Sequence, residues 1–150
     1  MTARRDHEAA FDRVIELALV LNEDMNHGLG ALGLTRSRTE VLWVLHHRGP
    51  STQRTLADAM GVSARNVTGL VDALVATGFV TREPHPTDRR AALVTLTEHG
   101  ERTTAVLARD YAELARALFA DMPAERFECF VAGLERVLAE LRERVAAARG

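Results

Sequence analysis

The sequence contains no lysine, so all nineteen of its basic residues are arginines. Each positive charge can therefore make forked, planar contacts with a carboxylate or a phosphate. Cys129 is the only cysteine, which excludes an intramolecular disulfide and agrees with a reducing compartment. The N-terminal segment is too polar for a signal peptide or a membrane span. We therefore expect a cytoplasmic protein without membrane contact.

The motifs of common enzyme active sites are also missing from the sequence. There is no Gly-rich phosphate loop, no nucleophile elbow and no compelling catalytic triad. The six histidines do not fall at the paired helical spacing of metal ligands. The adjacent His46 and His47 should point to different sides of a helix. We expect no enzymatic activity, no metal and no cofactor.

The charge of the chain is unevenly distributed. A length of 150 residues suffices for one domain with a core, or for two small lobes that share one. The net charge is −2, but residues 36–90 carry eight arginines against five acids, a balance of plus three. The flanks are correspondingly acidic. A basic middle between acidic ends indicates that the middle meets a polyanion.

Apolar periodicity, capping residues and turn signals predict six helices and two strands. The helices are expected at about 7–32, 36–47, 52–60, 64–77, 98–120 and 124–147, and the strands at 79–83 and 91–96. We expect Gly28, Gly30 and Gly33 to end the first helix, and the prolines between the strands to stay outside the ladder. The second helix is apolar on more than one side, which predicts burial between two layers.

The stretch LADAMGVSARNVTGLVDALVATG, residues 56–78, has the layout of a helix-turn-helix, with a tight Gly turn and a capped second helix. The outer face of that helix carries Arg65, Thr68 and Gly69. In a DNA major groove, Arg65 can pair with guanine and Asn66 with adenine. A plain antiparallel helix pair, whose outer faces are also polar, is the alternative.

The tip of the predicted hairpin carries Asp88, Arg89 and Arg90. An arginine at such a tip fits the narrow, electronegative minor groove, and a neighbouring carboxylate can hold its fork in place. The alternative is a solvated turn with a weak surface ion pair. A helix-turn-helix followed by this hairpin predicts a winged helix, mainly α with a small β-hairpin wing (α+β).

The sequence resembles the MarR family of bacterial transcriptional regulators over nearly its whole length. The matching segments are LTRSRTEVLWVLHHRGPSTQRTLA, MGVSARNVTGLVDALVATGFVTRE and PTDRRAALVTLTEHG. The resemblance implies a homodimer of winged helices bound to double-stranded DNA at a palindromic operator. It places Arg90 at the minor-groove position, Asp88 as its buttress and Arg89 near a phosphate. Many family members have a larger residue at the position of Gly69.

The same resemblance assigns the remaining DNA contacts to the two helices of the helix-turn-helix. The recognition-helix positions are Ser63, Arg65, Asn66 and Thr68, and the phosphate-facing positions are Thr52 and Gln53. The DNA-binding lobe is expected at 36–97. Helices at 1–35 and 98–150 are expected to dimerise, because three long amphipathic helices have too little chain of their own to cover every apolar stripe.

Relatives bind small anionic or phenolic ligands near the first two helices, so the resemblance implies an effector crevice that His27, Trp43, His46 and His47 could line. The function predicted is a repressor released by such a ligand. Two alternatives remain open. One is a winged-helix dimerisation or protein-interaction module that does not bind DNA. The other is a redox regulator based on Cys129, which is disfavoured because this residue lies in the sixth helix.

Overall fold

The computed structural model describes the backbone of residues 2–149 and the side chains of residues 6–149. The helices are α1 (Thr2–Ala31), α2 (Arg36–Arg48), α3 (Gln53–Met60), α4 (Ala64–Ala76), α5 (Glu98–Phe119) and α6 (Ala124–Arg149). The strands are β1 (Ser51–Thr52), β2 (Val80–Pro84) and β3 (Ala92–Leu96). The chain divides into two compact units, and the boundary between Ala105 and Val106 falls inside α5. The fold class predicted from the sequence is confirmed.

The predicted end of α1 is only partly right. The helix continues through Gly28 and Gly30 to Ala31. Gly33, with φ of 71°, is the residue of this cluster that leaves helical geometry. A glycine inside a helix costs about 1 kcal/mol relative to alanine, so two of them weaken a long helix without ending it.

Side-chain caps set the starts of the three following helices. The hydroxyls of Thr35, Thr52 and Ser63 each accept a hydrogen bond from the backbone N–H three residues ahead, at 3.3, 3.1 and 3.2 Å. Such caps satisfy N–H groups that have no partner within the helix. Gly61, in the left-handed region with φ of 65°, makes the turn between α3 and α4. These local signals explain why the predicted helix starts agree with the structure.

The sheet has three antiparallel strands in the order β1, β3, β2, one more than predicted. β1 was missed because a strand of two residues shows no alternation; Ser51 pairs with Val94 of β3. The expectation that prolines stay outside the ladder is wrong for Pro84, which lies opposite Ala92. An edge strand tolerates this residue at its end, since the missing N–H costs no internal hydrogen bond.

The core of the first unit lies between α2, α3, α4 and the sheet. Its completely buried side chains are Val41, Leu42, Leu56, Val67, Val71, Leu74 and Val94. Within α2, Trp43 is only half-buried and His46 and His47 are exposed, so this chain alone does not bury the helix between two layers as expected.

The turn after α4 packs against the first turn of α5. Thr97 donates its hydroxyl to the carbonyl oxygen of Gly78 at 2.6 Å and accepts from the backbone N–H of Gly100 at 3.0 Å. A Cβ on Gly100 would lie 2.1 Å from the carbonyl oxygen of Phe79, which is far inside van der Waals contact. Glycine is therefore required here by close approach of two backbone segments.

The second unit consists of the later part of α5 and all of α6. The ring of Phe119 contacts those of Phe127 and Phe130, with centroids 5.5 and 5.8 Å apart. No described residue of α6 is buried, although the helix carries an apolar stripe. Over residues 2–149, no helix combines the length and the apolar character needed to cross a membrane.

Candidate nucleic-acid interface

The outer face of α4 is polar and exposed. Buried Val67, Val71 and Leu74 anchor its inner face, so Arg65 and Asn66 point away from the core. The hydroxyl of Ser63 is engaged as the helix cap, where it accepts from the N–H of Asn66. In the described part of the chain, no residue makes a hydrogen bond or an ion pair with the guanidinium of Arg65. This face is free to contact another molecule.

Gly69 leaves the helix backbone bare in the middle of the same face. A Cβ at this position would meet nothing within 4 Å. Glycine inside a helix destabilises it by roughly 0.5–1 kcal/mol relative to alanine. Packing within the described residues therefore gives no reason for a glycine here.

The wing tip between β2 and β3 is shaped by Asp88. Its carboxylate accepts a hydrogen bond from the backbone N–H of Arg90 at 2.9 Å. We expected this carboxylate to hold the guanidinium fork of Arg90, and the structure shows it holding the backbone instead. Asp often bonds the backbone two residues ahead, because that geometry closes a tight turn. The guanidinium groups of Arg89 and Arg90 are exposed and unpaired among the described side chains.

A second side chain also orders the tip. The ring nitrogen Nδ1 of His85 accepts hydrogen bonds from the backbone N–H groups of Thr87 and Asp88, at 3.2 and 3.1 Å. His85 thus takes the turn-forming role more usual for Asn or Asp. Sequence reasoning missed this role, because histidine is not a typical turn residue.

At the base of the wing, four polar side chains form a continuous hydrogen-bonded group, which we call the polar bridge: Gln53, Thr68, Asp72 and Arg82. The amide of Gln53 donates to the Thr68 hydroxyl at 3.0 Å. The amide oxygen accepts from Arg82 at 3.2 Å from Nε and 3.0 Å from Nη2. Arg82 Nη2 also donates to Asp72 at 2.5 Å. The bridge joins α3, α4 and β2.

The two predicted phosphate contacts both have partners within the chain. The hydroxyl of Thr52 caps α3 and lies 3.0 Å from the hydroxyl of Thr55. Gln53 belongs to the polar bridge, and so does Thr68, whose hydroxyl also donates to the carbonyl oxygen of Ala64 at 3.0 Å. Sequence reasoning did not identify Arg82 or Asp72, whose partners are distant in the chain.

Three of the four predicted effector residues lie together on α2. The ring centroids of Trp43 lie 5.9 Å from His46 and 5.6 Å from His47. The prediction that the two histidines point to different sides is wrong, because their rings are 5.3 Å apart and meet edge to face around Trp43. His47 Nδ1 donates to the carbonyl oxygen of Trp43 at 2.8 Å. His27 is an exposed residue of α1, away from this α2 cluster in the sequence.

His46 also lines a shallow depression of about 380 Å³ in the first unit. Its other walls are Leu45, Gly49, Pro50, Thr95, Leu96 and Glu101. Trp43 and His47 are not part of this wall. Across the side chains that the structure describes, no group of three or more His, Cys, Asp or Glu residues is arranged to hold a metal ion.

A helix-turn-helix followed by a hairpin with unpaired arginines at its tip defines a winged-helix protein. A model of the MarR family matches residues 34–92, which include the helix-turn-helix and most of the wing. The chain belongs to the MarR family.

Known relatives resemble the chain in sequence and in structure. YetL of Bacillus subtilis, named a transcriptional repressor, is 30% identical over 95 residues, 61% of this chain and 56% of YetL. BadR of Rhodopseudomonas palustris, named a transcriptional activatory protein, is 31% identical over 102 residues, 66% of this chain and 58% of BadR. A mutant MarR from E. coli superposes with a TM-score of 0.66 at 26% identity, covering 85% of this chain and 95% of that structure. The chain spans about half the length of the curated relatives it matches.

Proposed function

We propose that the protein is a sequence-specific DNA-binding transcriptional regulator that acts as a homodimer on a palindromic operator. The observation that carries the proposal is the pair of exposed basic elements, Arg65 on α4 and Arg89 with Arg90 at the wing tip, whose guanidinium groups have no partner among the described residues. Arginine presents a rigid fork that suits phosphates and guanine edges. Relatives named as regulators support the proposal.

In this proposal, α4 enters the major groove as the recognition helix. Arg65 contacts guanine, Asn66 contacts adenine, and Ser63 and Thr68 contact bases or phosphates at the edges. Arg90 enters the adjacent minor groove and Arg89 approaches a phosphate. Asp88 supports Arg90 by fixing the backbone from which its side chain extends. Thr52 and Gln53 lie where phosphates pass the start of α3.

The proposed homodimer is supported by apolar side chains that the chain leaves uncovered. On α6, Phe127, Phe130, Leu138, Leu141 and Val145 are between 37 and 51% exposed, and on α1 Phe11 is 56% exposed. A second copy would cover such surface, which monomeric proteins rarely leave in large patches. Two-fold symmetry then presents two recognition helices about 34 Å apart, one turn of DNA. The DNA-binding lobe is proposed at 36–97, flanked by dimerisation helices.

We further propose that the regulator is a repressor that a small phenolic or anionic ligand releases from DNA. The cluster of Trp43, His46 and His47 supports an aromatic ligand, because it offers stacking surfaces together with ring N–H donors. Such a ligand would favour a dimer state whose recognition helices no longer match adjacent major grooves. Trp43 is the only tryptophan, so its fluorescence reports ligand binding directly.

The test begins with selection of bound sequences from a random duplex pool. Affinity for the selected duplex is then titrated at several salt concentrations by fluorescence anisotropy. We expect affinity to fall steeply with salt, by a slope of about 0.9 per phosphate contact. If no duplex binds at low salt, the chain is instead an interaction module. A ligand panel of benzoate, salicylate and phenol, added to the complex, tests release from DNA.

A further inference from the structure

We infer that the polar bridge is a positioning device, in which Arg82 fixes the wing relative to the recognition helix instead of contacting DNA. The inference rests on the proposed function. It assigns roles to Arg82 and Asp72 that neither the sequence pattern nor the comparison with relatives provides.

The geometry supports a role in fixing three elements relative to one another. Gln53 is the first residue of α3, Thr68 and Asp72 lie on the outer face of α4, and Arg82 is the central residue of β2. Gln53 uses both ends of its amide, donating to α4 and accepting from the wing strand. Arg82 in turn bonds both Gln53 and Asp72. A wing rotated away from α4 would lose these contacts together.

Charge gives a second reason to place Arg82 in the bridge. Asp72 is 61% exposed on the face of α4 that approaches DNA, where an unpaired carboxylate would repel phosphates. Arg82, whose side chain is 33% exposed, pairs with it. The guanidinium is therefore occupied by Asp72 and Gln53, in contrast to that of Arg90. Arg82 adds to the basic balance of the middle of the chain without being free to contact a phosphate.

The decisive variant is the double substitution Asp72→Asn with Arg82→Gln, which breaks the bridge without changing the net charge. We expect affinity for the selected duplex to fall roughly 3- to 30-fold, in the range of couplings within hydrogen-bonded networks. The salt slope should stay unchanged, whereas Arg90→Ala lowers it by about 0.9 if that residue contacts a phosphate. Arg102→Ala, which removes an arginine from an exposed ion pair with Glu98, is the control and should bind like the wild type.

Coupling to the wing separates positioning from simple destabilisation. In the double variant, Arg90→Ala should cost less affinity than it does in the wild type, because the wing is already misplaced. Full additivity would overturn the inference, and so would wild-type affinity of the double variant. If the double variant fails to fold by circular dichroism, Gln53→Ala, which removes the amide and keeps the ion pair, is measured in its place. Failure of the wild type to bind any duplex would instead refute the proposed function.

Discussion

Two glycines in helix interiors illustrate how the same residue serves opposite purposes. Gly100 is required within the chain, since a Cβ there would collide with the carbonyl oxygen of Phe79. Gly69 faces open space, and its helix would be more stable with alanine. The first glycine is explained by packing, and the second is explained if another molecule approaches the bare backbone.

The substitution of each glycine by alanine should therefore change stability in opposite directions. Gly100→Ala should lower the free energy of unfolding by about 1–3 kcal/mol, the usual cost of overpacking. Gly69→Ala should raise it by roughly 0.5–1 kcal/mol, because alanine restricts the unfolded chain and favours the helix. Urea denaturation of both variants measures the difference. A stabilised Gly69→Ala protein that binds DNA less well would show that the glycine serves the complex; unchanged affinity would contradict close approach at this point.

The arginines of the two basic elements should differ in what they contribute to DNA recognition. Arg65→Ala is expected to cost about 1–3 kcal/mol and to relax preference at one base pair, as for a bidentate guanine contact. Arg90→Ala should weaken binding to all duplexes, since a minor-groove arginine responds to groove width and potential more than to base identity. Titration of each variant against the selected duplex and single-base variants of it distinguishes the two. Unchanged affinity of Arg90→Ala would remove the wing from the proposed interface.

At the scale of single elements, the wing tip depends on a ring nitrogen that accepts two backbone hydrogen bonds. His85→Asn should preserve the turn, because an Asn oxygen can accept from the same N–H groups. His85→Leu removes the acceptor and should loosen the tip, lowering DNA affinity several-fold at equal folded stability. Anisotropy titrations of both variants provide the comparison. Equal binding by Leu and Asn variants would show that the turn forms without this side chain.

The elements differ in how far the sequence predicts them, and the difference is one of distance along the chain. The helices starting after Thr35, Thr52 and Ser63 are predictable, since each cap and its partner lie three residues apart. β1 is not, because Ser51 pairs with Val94, far along the chain.

The candidate site shows the same division. Arg65 and Arg90 follow from local patterns, namely a helix face and a turn. The polar bridge depends on contacts between residues 53 and 82, which only the packed structure brings together. The DNA roles of both arginines remain predictions.

At the scale of the whole molecule, the uncovered stripe of α6 predicts that association depends on its apolar residues. Leu141→Glu places a charge in this stripe and should shift the protein from dimer to monomer, with loss of operator binding because two half-sites are no longer held together. Arg136→Gln, predicted to lie on the opposite helix face, changes the net charge by the same amount and should remain dimeric. Sedimentation velocity measures both. A dimeric Leu141→Glu protein would place the interface elsewhere.

The short sheet has a consequence for the behaviour of the molecule at high concentration. Its central strand, β3, is paired on both sides, so only β1 and β2 present unpaired backbone groups. β1 offers two residues, while β2 ends in Pro84 and carries the charged Arg82 and Glu83. Short, charged, proline-ended edges resist the addition of a strand from another chain. Crowded copies of the protein should therefore associate through helical surfaces and not grow into cross-β fibrils.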